Sequence, residues 1–224
     1  MAGTFITFEG GEGAGKSTQI SRLRARIEAL GMPVVATREP GGSPYAEEIR
    51  AFILDGKAKE LGPFAEAVLF TAARIDHLDQ TIGPALRAGT YVLCDRFADS
   101  TRAYQGASGD VEAPLINALE RAALNGLRPD LTLILDLPVE AGLERAALRR
   151  QAKGQGVDRF EQEDAAFHSK LRETFLAIAK AEPGRCVIIA ADRSPDEVEE
   201  AIWEAVQARL PRLAGHHARA ADGA

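Results

Sequence analysis

The sequence predicts an α/β protein: a five-stranded parallel sheet flanked by helices on both faces. Three observations lead there. Five short β-like runs are spread along 224 residues, several of them are apolar nearly throughout, and helical patterns separate them. A strand that is apolar throughout is one covered on both faces, and regular strand–helix alternation is the pattern of a doubly wound sheet. A hydrophobic content of 46% over this length suits the core of one compact domain. Ligands of such a sheet sit at the carboxyl ends of its strands.

The elements follow in order. TFITFE (4–9) reads as the first strand, and SRLRARIEALG (21–31) as a helix with an apolar stripe, stopped by Gly31. PVVATR (33–38) is the second strand. Residues 62–88 read as a long helical stretch with a break expected near Gly83–Pro84, before the third strand, TYVLCD (90–95). Helices are expected over 112–125, 138–150, 160–181 and 195–210, with strands LTLILDL (131–137) and RCVIIA (185–190) between them. Residues 1–210 are therefore read as a single domain. Residues 211–224 are read as a disordered tail, small, polar and aperiodic, in which His216 and His217 are solvated rather than metal-bound.

The net charge of −6 argues against a non-specific nucleic-acid binder, which needs a basic surface. Cys94 and Cys186 lie inside apolar runs and read as buried strand thiols, consistent with a reducing compartment. No charged-then-apolar leader and no apolar run near 20 residues is seen, so a cytoplasmic protein without a membrane anchor is expected.

GGEGAGKS (10–17) fits G-x-x-x-x-G-K-[ST] in full, after a strand and before a helix. Backbone N–H groups of Gly10, Gly11, Glu12, Gly13, Ala14 and Gly15 are expected to turn around a β-phosphate. Lys16 supplies charge to the β and γ oxygens, the Ser17 hydroxyl is placed for Mg2+, and Thr18 follows in the helix. The sheet is then of the P-loop NTPase type. The loop specifies a nucleoside triphosphate but not the phosphoryl acceptor. A GTPase would need N-K-x-D, which is absent.

Other stretches carry the acceptor side. TREPGGS (37–43) puts Arg38 and Glu39 at a strand's carboxyl end. In LFTAARIDH (69–77), Phe70 and Arg74 are four apart on one helix face. Two readings are open: an aromatic plane and a guanidinium around a flat base, or an amphipathic helix with Phe70 in the core and Arg74 in solvent. In CDRFADSTRAYQG (94–106), Asp95 ends an apolar strand as a Mg2+-organising carboxylate would, and Arg96 could fork onto a phosphate. The alternative for the two is a surface ion pair. Ser100 and Tyr104 are four apart and could share a face. LERAALRRQAKGQGVDRF (143–160) concentrates Arg145, Arg149, Arg150, Lys153 and Arg159 in an acidic chain, with Gly154 and Gly156 to loosen it. It reads either as a short mobile lid over about 145–160 that brings charge to the transferring group, or as a solvated basic helix end.

Together FEGGEGAGKST, TREPGG, FTAARxxH, DRFxxSTxAYQG, RPDLTLxLD and DRFEQE resemble bacterial thymidylate kinases, from about Phe5 to Arg209. The resemblance implies transfer of the γ-phosphoryl group of ATP to dTMP with Mg2+, in a cytoplasmic homodimer. By motif position, Glu12 would approach the acceptor 3′-hydroxyl and Glu39 would help frame the acceptor site. Phe70 would stack on thymine while Arg74 donates to its 4-carbonyl. Arg96 would hold the dTMP phosphate, Ser100 and Thr101 would face the base edge, Tyr104 would crowd the 2′ position and Gln105 would line the pocket. The variable loop positions Gly11, Glu12, Gly13 and Ala14 carry no basic residue. This resembles the class whose catalytic arginine comes from the lid, Arg149 first and Arg150 next, with Asp158 and Arg159 anchoring its far side. Phe97 stands where the family more often has Tyr or His, and Ser43 where Thr is usual. ADRSP (191–195) would lie near the adenine, with Arg193 either beside it or in a solvated turn.

Overall fold

The computed structural model describes residues 3–107, 111–153 and 160–210. The tail with His216 and His217 lies outside them, as do Gly154, Gly156, Asp158 and Arg159 of the expected lid.

The five expected strands form one parallel sheet: β1 (Thr4–Glu9), β2 (Val34–Arg38), β3 (Tyr91–Asp95), β4 (Leu131–Asp136) and β5 (Cys186–Ala190), in the order β2-β3-β1-β4-β5. The pairings are parallel throughout. β1 is central and buried along its whole length, which is why TFITFE shows no polar–apolar alternation. Its one internal polar side chain, Thr7, is satisfied across the sheet by the Thr132 hydroxyl at 2.8 Å.

Successive side chains of a strand point to opposite faces. Ile6 and Phe8 pack with Leu93, Leu133 and Leu135 under α1 (Lys16–Ala29) and α10 (Pro195–Arg209). On the other face Phe5, Val92 and Cys94 pack with Leu78, Ile82 and Phe97. Further along that face Ile134 and Cys186 meet Leu171, Phe175 and Ile178 of α9 (Ala165–Ala181). Both cysteines are buried free thiols. α10 starts on a full capping box, in which Ser194 and Glu197 satisfy each other's backbone N–H groups.

One helix has no counterpart in the sequence reading, and two local readings are corrected. Residues 44–54, left unassigned from sequence, form α2 (Pro44–Leu54), with Ser43 before it and Pro44 in its first turn, where a missing N–H costs nothing. It is followed by the short α3 (Lys57–Glu60). The expected break at Gly83–Pro84 does not occur. α4 (Pro63–His77) runs on through a π-helical turn, Leu78–Ile82, into α5 (Gly83–Arg87), with Gly83 at φ −59°, ψ −50°. The Gly83 N–H bonds to the Leu78 carbonyl five residues back, a wider turn that carries the chain past proline. The helix expected over 160–181 begins only at Ala165, because the Asp164 side chain caps it by accepting from the Phe167 N–H; Phe160–Gln162 is a separate 3-10 turn.

Strand register gathers the site. Phe8 and Arg38 both pair with Asp95, Glu9 pairs with Ile134, and Asp136 pairs with Ala190. Four polar strand ends thus share one edge of the sheet. Connections after β1 run to one side and those after β3 to the other, so a crevice opens at that edge.

Candidate active site

The phosphate loop follows β1 directly. Gly10, Gly13 and Gly15 have φ of 131°, 68° and 89°, a region that side chains disfavour. At Gly13 space forbids a side chain as well: a Cβ would lie 2.0 Å from the carbonyl oxygen of Gly142, on α8 (Val139–Lys153). Lys16, the first residue of α1, is buried and turns back along the loop, donating to the Gly10 and Gly11 carbonyls at 3.0 and 2.9 Å. Burial and the nearby Arg96 lower its ammonium to about 8, against the pull of Asp95, Glu12 and Glu9. Ser17 donates to Asp95 Oδ2 at 2.7 Å. Two hard oxygen donors therefore meet beside the loop, the donor set an octahedral Mg2+ accepts when phosphates and water complete its shell. Asp95 and Arg96 are not a surface ion pair with each other: Asp95 goes to Ser17, and Arg96 to the loop.

Arg96 adopts φ 69°, outside the range usual for a side-chain-bearing residue. Its N–H bonds to the Phe8 carbonyl at 2.9 Å. Its guanidinium reaches Glu12 Oε1 at 2.6 Å and the Gly10 carbonyl at 3.2 Å, and lies 4.9 Å from the Tyr104 ring centre. Tyr104 donates to the same Glu12 oxygen at 2.9 Å. Burial would raise the Glu12 carboxyl, but Arg96, Lys16, Tyr104 and Arg149 outweigh it and hold it at about 2. Glu12 is thus an obligate anion ringed by cations.

Sequence reasoning passed over Glu9, which underpins this turn. It is fully buried at the end of β1 and accepts from the Phe97 N–H at 2.8 Å, the Ser100 N–H at 3.3 Å and the Ser100 hydroxyl at 2.6 Å. It thereby holds the start of α6 (Ala98–Thr101). Burial, then Asp99, raise it to about 8, against Ser100, Arg96 and the Phe97 N–H. An acid closing an apolar strand leaves no periodic signal by which to find it.

On the acceptor side the amphipathic-helix alternative for α4 is reversed. Arg74 is buried and Phe70 only half-buried, and both line the cleft. Arg74 Nε bonds Glu39 Oε2 at 2.7 Å, Nη2 bonds Thr101 Oγ1 at 3.0 Å, and Nη1 has no hydrogen-bond partner among the described residues. Ser100 and Thr101, expected at a base edge, have their hydroxyls engaged by Glu9 and Arg74. Tyr104 and Gln105 lie in a second π-helical turn, Arg102–Ala107, where Gln105 donates to the buried Glu66 at 3.1 Å. Exposed Arg38 pairs with Glu47 at 3.0 Å on the rim.

One cleft of about 680 Å3 joins these parts, from the phosphate loop through Asp95 and Arg96 to Phe70, Arg74 and Gln105. Gly10 and Gly11 are not part of its wall. Of the basic run, Arg149 and Arg150 line the cleft. Arg145 does not, and instead donates to the Ala191 carbonyl at 3.0 Å. Arg193 is exposed and outside the cleft wall. Arg50, Leu54 and Phe160 line the cleft without having been singled out. Arg50 and Leu54 sit on the unassigned α2. Phe160, 5.2 Å from Tyr104 between ring centres and edge-on to it, belongs to the DRFEQE motif, whose charged residues carry the stronger sequence signal.

A phosphate loop and an aromatic–arginine helix face lining one cleft at the carboxyl edge of a parallel sheet are the arrangement of a nucleotide kinase. The thymidylate kinase family model matches residues 8–202, and on that match this chain belongs to the thymidylate kinase family. It is 57% identical over 209 residues to a thymidylate kinase of Bradyrhizobium diazoefficiens, covering 93% of this chain and 90% of that one. It is 55% identical over 211 residues to one of Nitrobacter hamburgensis, covering 94% and 90%. A crystal structure of the Ehrlichia chaffeensis thymidylate kinase superposes with TM-score 0.73 at 32% identity, covering 92% of this chain and 99% of that one. Among the described residues no helix is long and apolar enough to cross a membrane.

Proposed function

We propose that this kinase phosphorylates dTMP to dTDP with ATP and Mg2+ as donor, and that the cleft divides into a donor half and an acceptor half. The observation that carries the reading is the single cleft holding the phosphate loop at one end and Phe70 with Arg74 at the other, with Arg96 and Glu12 between. The loop N–H groups and Lys16 take the β- and γ-phosphates. Ser17 and Asp95 hold Mg2+, which supplies neutralising charge when bound. Arg96 takes the acceptor phosphate, for which Glu12 is its stand-in anion here, and Glu12 turns to the 3′-hydroxyl. Phe70 stacks on thymine, with Phe160 and Tyr104 completing the aromatic wall, and Tyr104 crowds a 2′ substituent. Arg74 offers Nη1 to the 4-carbonyl. A cytosine 4-amino group cannot accept that bond, so dCMP leaves two donors opposed.

No general base is required, because an acceptor phosphate oxygen is already ionised at neutral pH. Arg149 and Arg150 face the loop from α8 and neutralise charge on the transferring group. Alignment and electrostatics do the rest. We place the protein in the cytoplasm as a homodimer. Support for the dimer is the exposed apolar set of Phe52 on α2, Leu61 just after α3, and Phe64, Val68 and Ile75 on α4.

The test is initial ADP release with ATP and Mg2+ against dTMP, dUMP, dCMP, UMP and no acceptor. Strong dependence on dTMP, a weaker rate with dUMP and little with dCMP or UMP supports the reading. Equal rates, or hydrolysis without an acceptor, refutes the acceptor half and leaves the phosphate loop.

A further inference from the structure

Behind the Glu39–Arg74 pair the buried polar chain continues. Glu39 Oε2 accepts from Arg74 Nε, and its second oxygen, Oε1, lies 3.3 Å from His77 Nδ1. A carboxylate only accepts, so Nδ1 carries the hydrogen. In the neutral ring the other nitrogen, Nε2, accepts, and the Thr37 hydroxyl stands 2.6 Å from it, able to donate. His77 is wholly buried. Gly42 closes the far side: a Cβ there would fall 2.4 Å from both His77 Nε2 and Thr37 Oγ1. Thr37, His77, Glu39 and Arg74 form a continuous chain of hydrogen bonds that converges on the Glu39 carboxylate, from His77 on one side and from Arg74 on the other.

We infer that His77 is a positioning residue for base selection: through Glu39 it fixes where Arg74 presents Nη1. The inference rests on the reading of Arg74 as the base-reading group. Replacing the Nδ1 donor by carbon leaves Glu39 Oε1 buried without a partner, and the carboxylate rotates or recruits another donor. Arg74, bonded to the other oxygen, moves with it. A displacement of this kind weakens the contact made by thymine and has little to remove from cytosine, which never made it.

Two substitutions separate positioning from packing, because they rank stability and selectivity in opposite orders. His77→Phe keeps volume and loses the donor. His77→Asn loses volume but places an amide N–H where Nδ1 was. The readout is the ratio of kcat/KM for dTMP to that for dCMP in the full-length protein, beside thermal stability. His77→Phe is expected to lower the ratio ~10-fold, as loss of one positioned hydrogen bond does. His77→Asn is expected to stay within about threefold of the wild-type ratio despite a lower Tm. Thr37→Val, nearly isosteric, loosens the ring from behind and lowers the ratio in the same direction. A wild-type ratio in His77→Phe and Thr37→Val, or equal losses in Phe and Asn, overturns the inference. Arg74→Ala, run in parallel, tells the two failures apart. A lowered ratio there with wild-type ratios at His77 sinks the positioning role alone. An unchanged ratio there sinks the base reading and the inference with it.

Discussion

On the acceptor side of the cleft Arg74 is 3% exposed and tied to Glu39 and Thr101, whereas Arg149, on α8, stands exposed at the cleft wall. Both are arginines of one site, yet burial treats them oppositely. A buried guanidinium must be paired, and the pairing fixes its direction. An exposed one keeps more of its solvation and is not locked in one direction by burial, so it can follow charge as charge develops. Selection between similar bases calls for the first arrangement, and neutralising a transferring phosphoryl group calls for the second. Arg96 is intermediate: it is held by Glu12 and by a left-handed backbone, but its partner is an anion that a phosphate can displace.

The largest effect is expected at the loop common to both halves. Lys16→Ala should cut kcat by ~10^3 or more while leaving the fold intact by circular dichroism, since the lysine bonds only loop carbonyls. Wild-type turnover would remove the loop from the chemistry.

Arg149→Ala should lower kcat ~10^2-fold and change the dTMP KM less than about threefold, because an exposed cation contributes to the transition state rather than to acceptor binding. Were KM to move and kcat not, the contrast between the two sides would collapse.

The pH profile sharpens it further. Lys16 is lowered to about 8 by burial and Arg96, with Asp95, Glu12 and Glu9 facing it. Its charged form is lost as pH rises, so kcat/KM for ATP should fall ~10-fold per pH unit above that value. The profile for kcat at saturating ATP should bend at higher pH, since bound phosphates favour the ammonium. Coincident profiles would show that another group titrates.

The smallest effect is on stability. Glu9 is raised to about 8 in the folded chain, first by burial and then by Asp99. Between the ordinary carboxyl range and that value the folded state binds the extra proton, so stability falls as pH rises through the window. Glu9→Gln, which cannot ionise, should flatten the Tm-versus-pH curve from about pH 5 to 8 by a few degrees. An unchanged slope would place the titration elsewhere.

The sequence by itself determined the five strands, the phosphate loop and the basic helix end. Each is written in contiguous residues: β-branched and apolar runs, obligatory glycines, repeated arginines. It also placed Phe70 and Arg74 on one face, because helix period is a local property. Only the tertiary structure decided which of two equal-looking residues enters the cleft. Arg149 does and Arg145 does not, because one turn of α8 separates the cleft wall from the Ala191 carbonyl. Only it showed Arg50 on a helix without a motif, and the Glu9 carboxyl holding a turn about ninety residues away in the chain. The line from Thr37 through His77 to Arg74 is of the same kind: its members come from two elements and the turn between strand and helix, and hydrogen bonds between such parts exist only once the sheet edge has brought them within 3.5 Å.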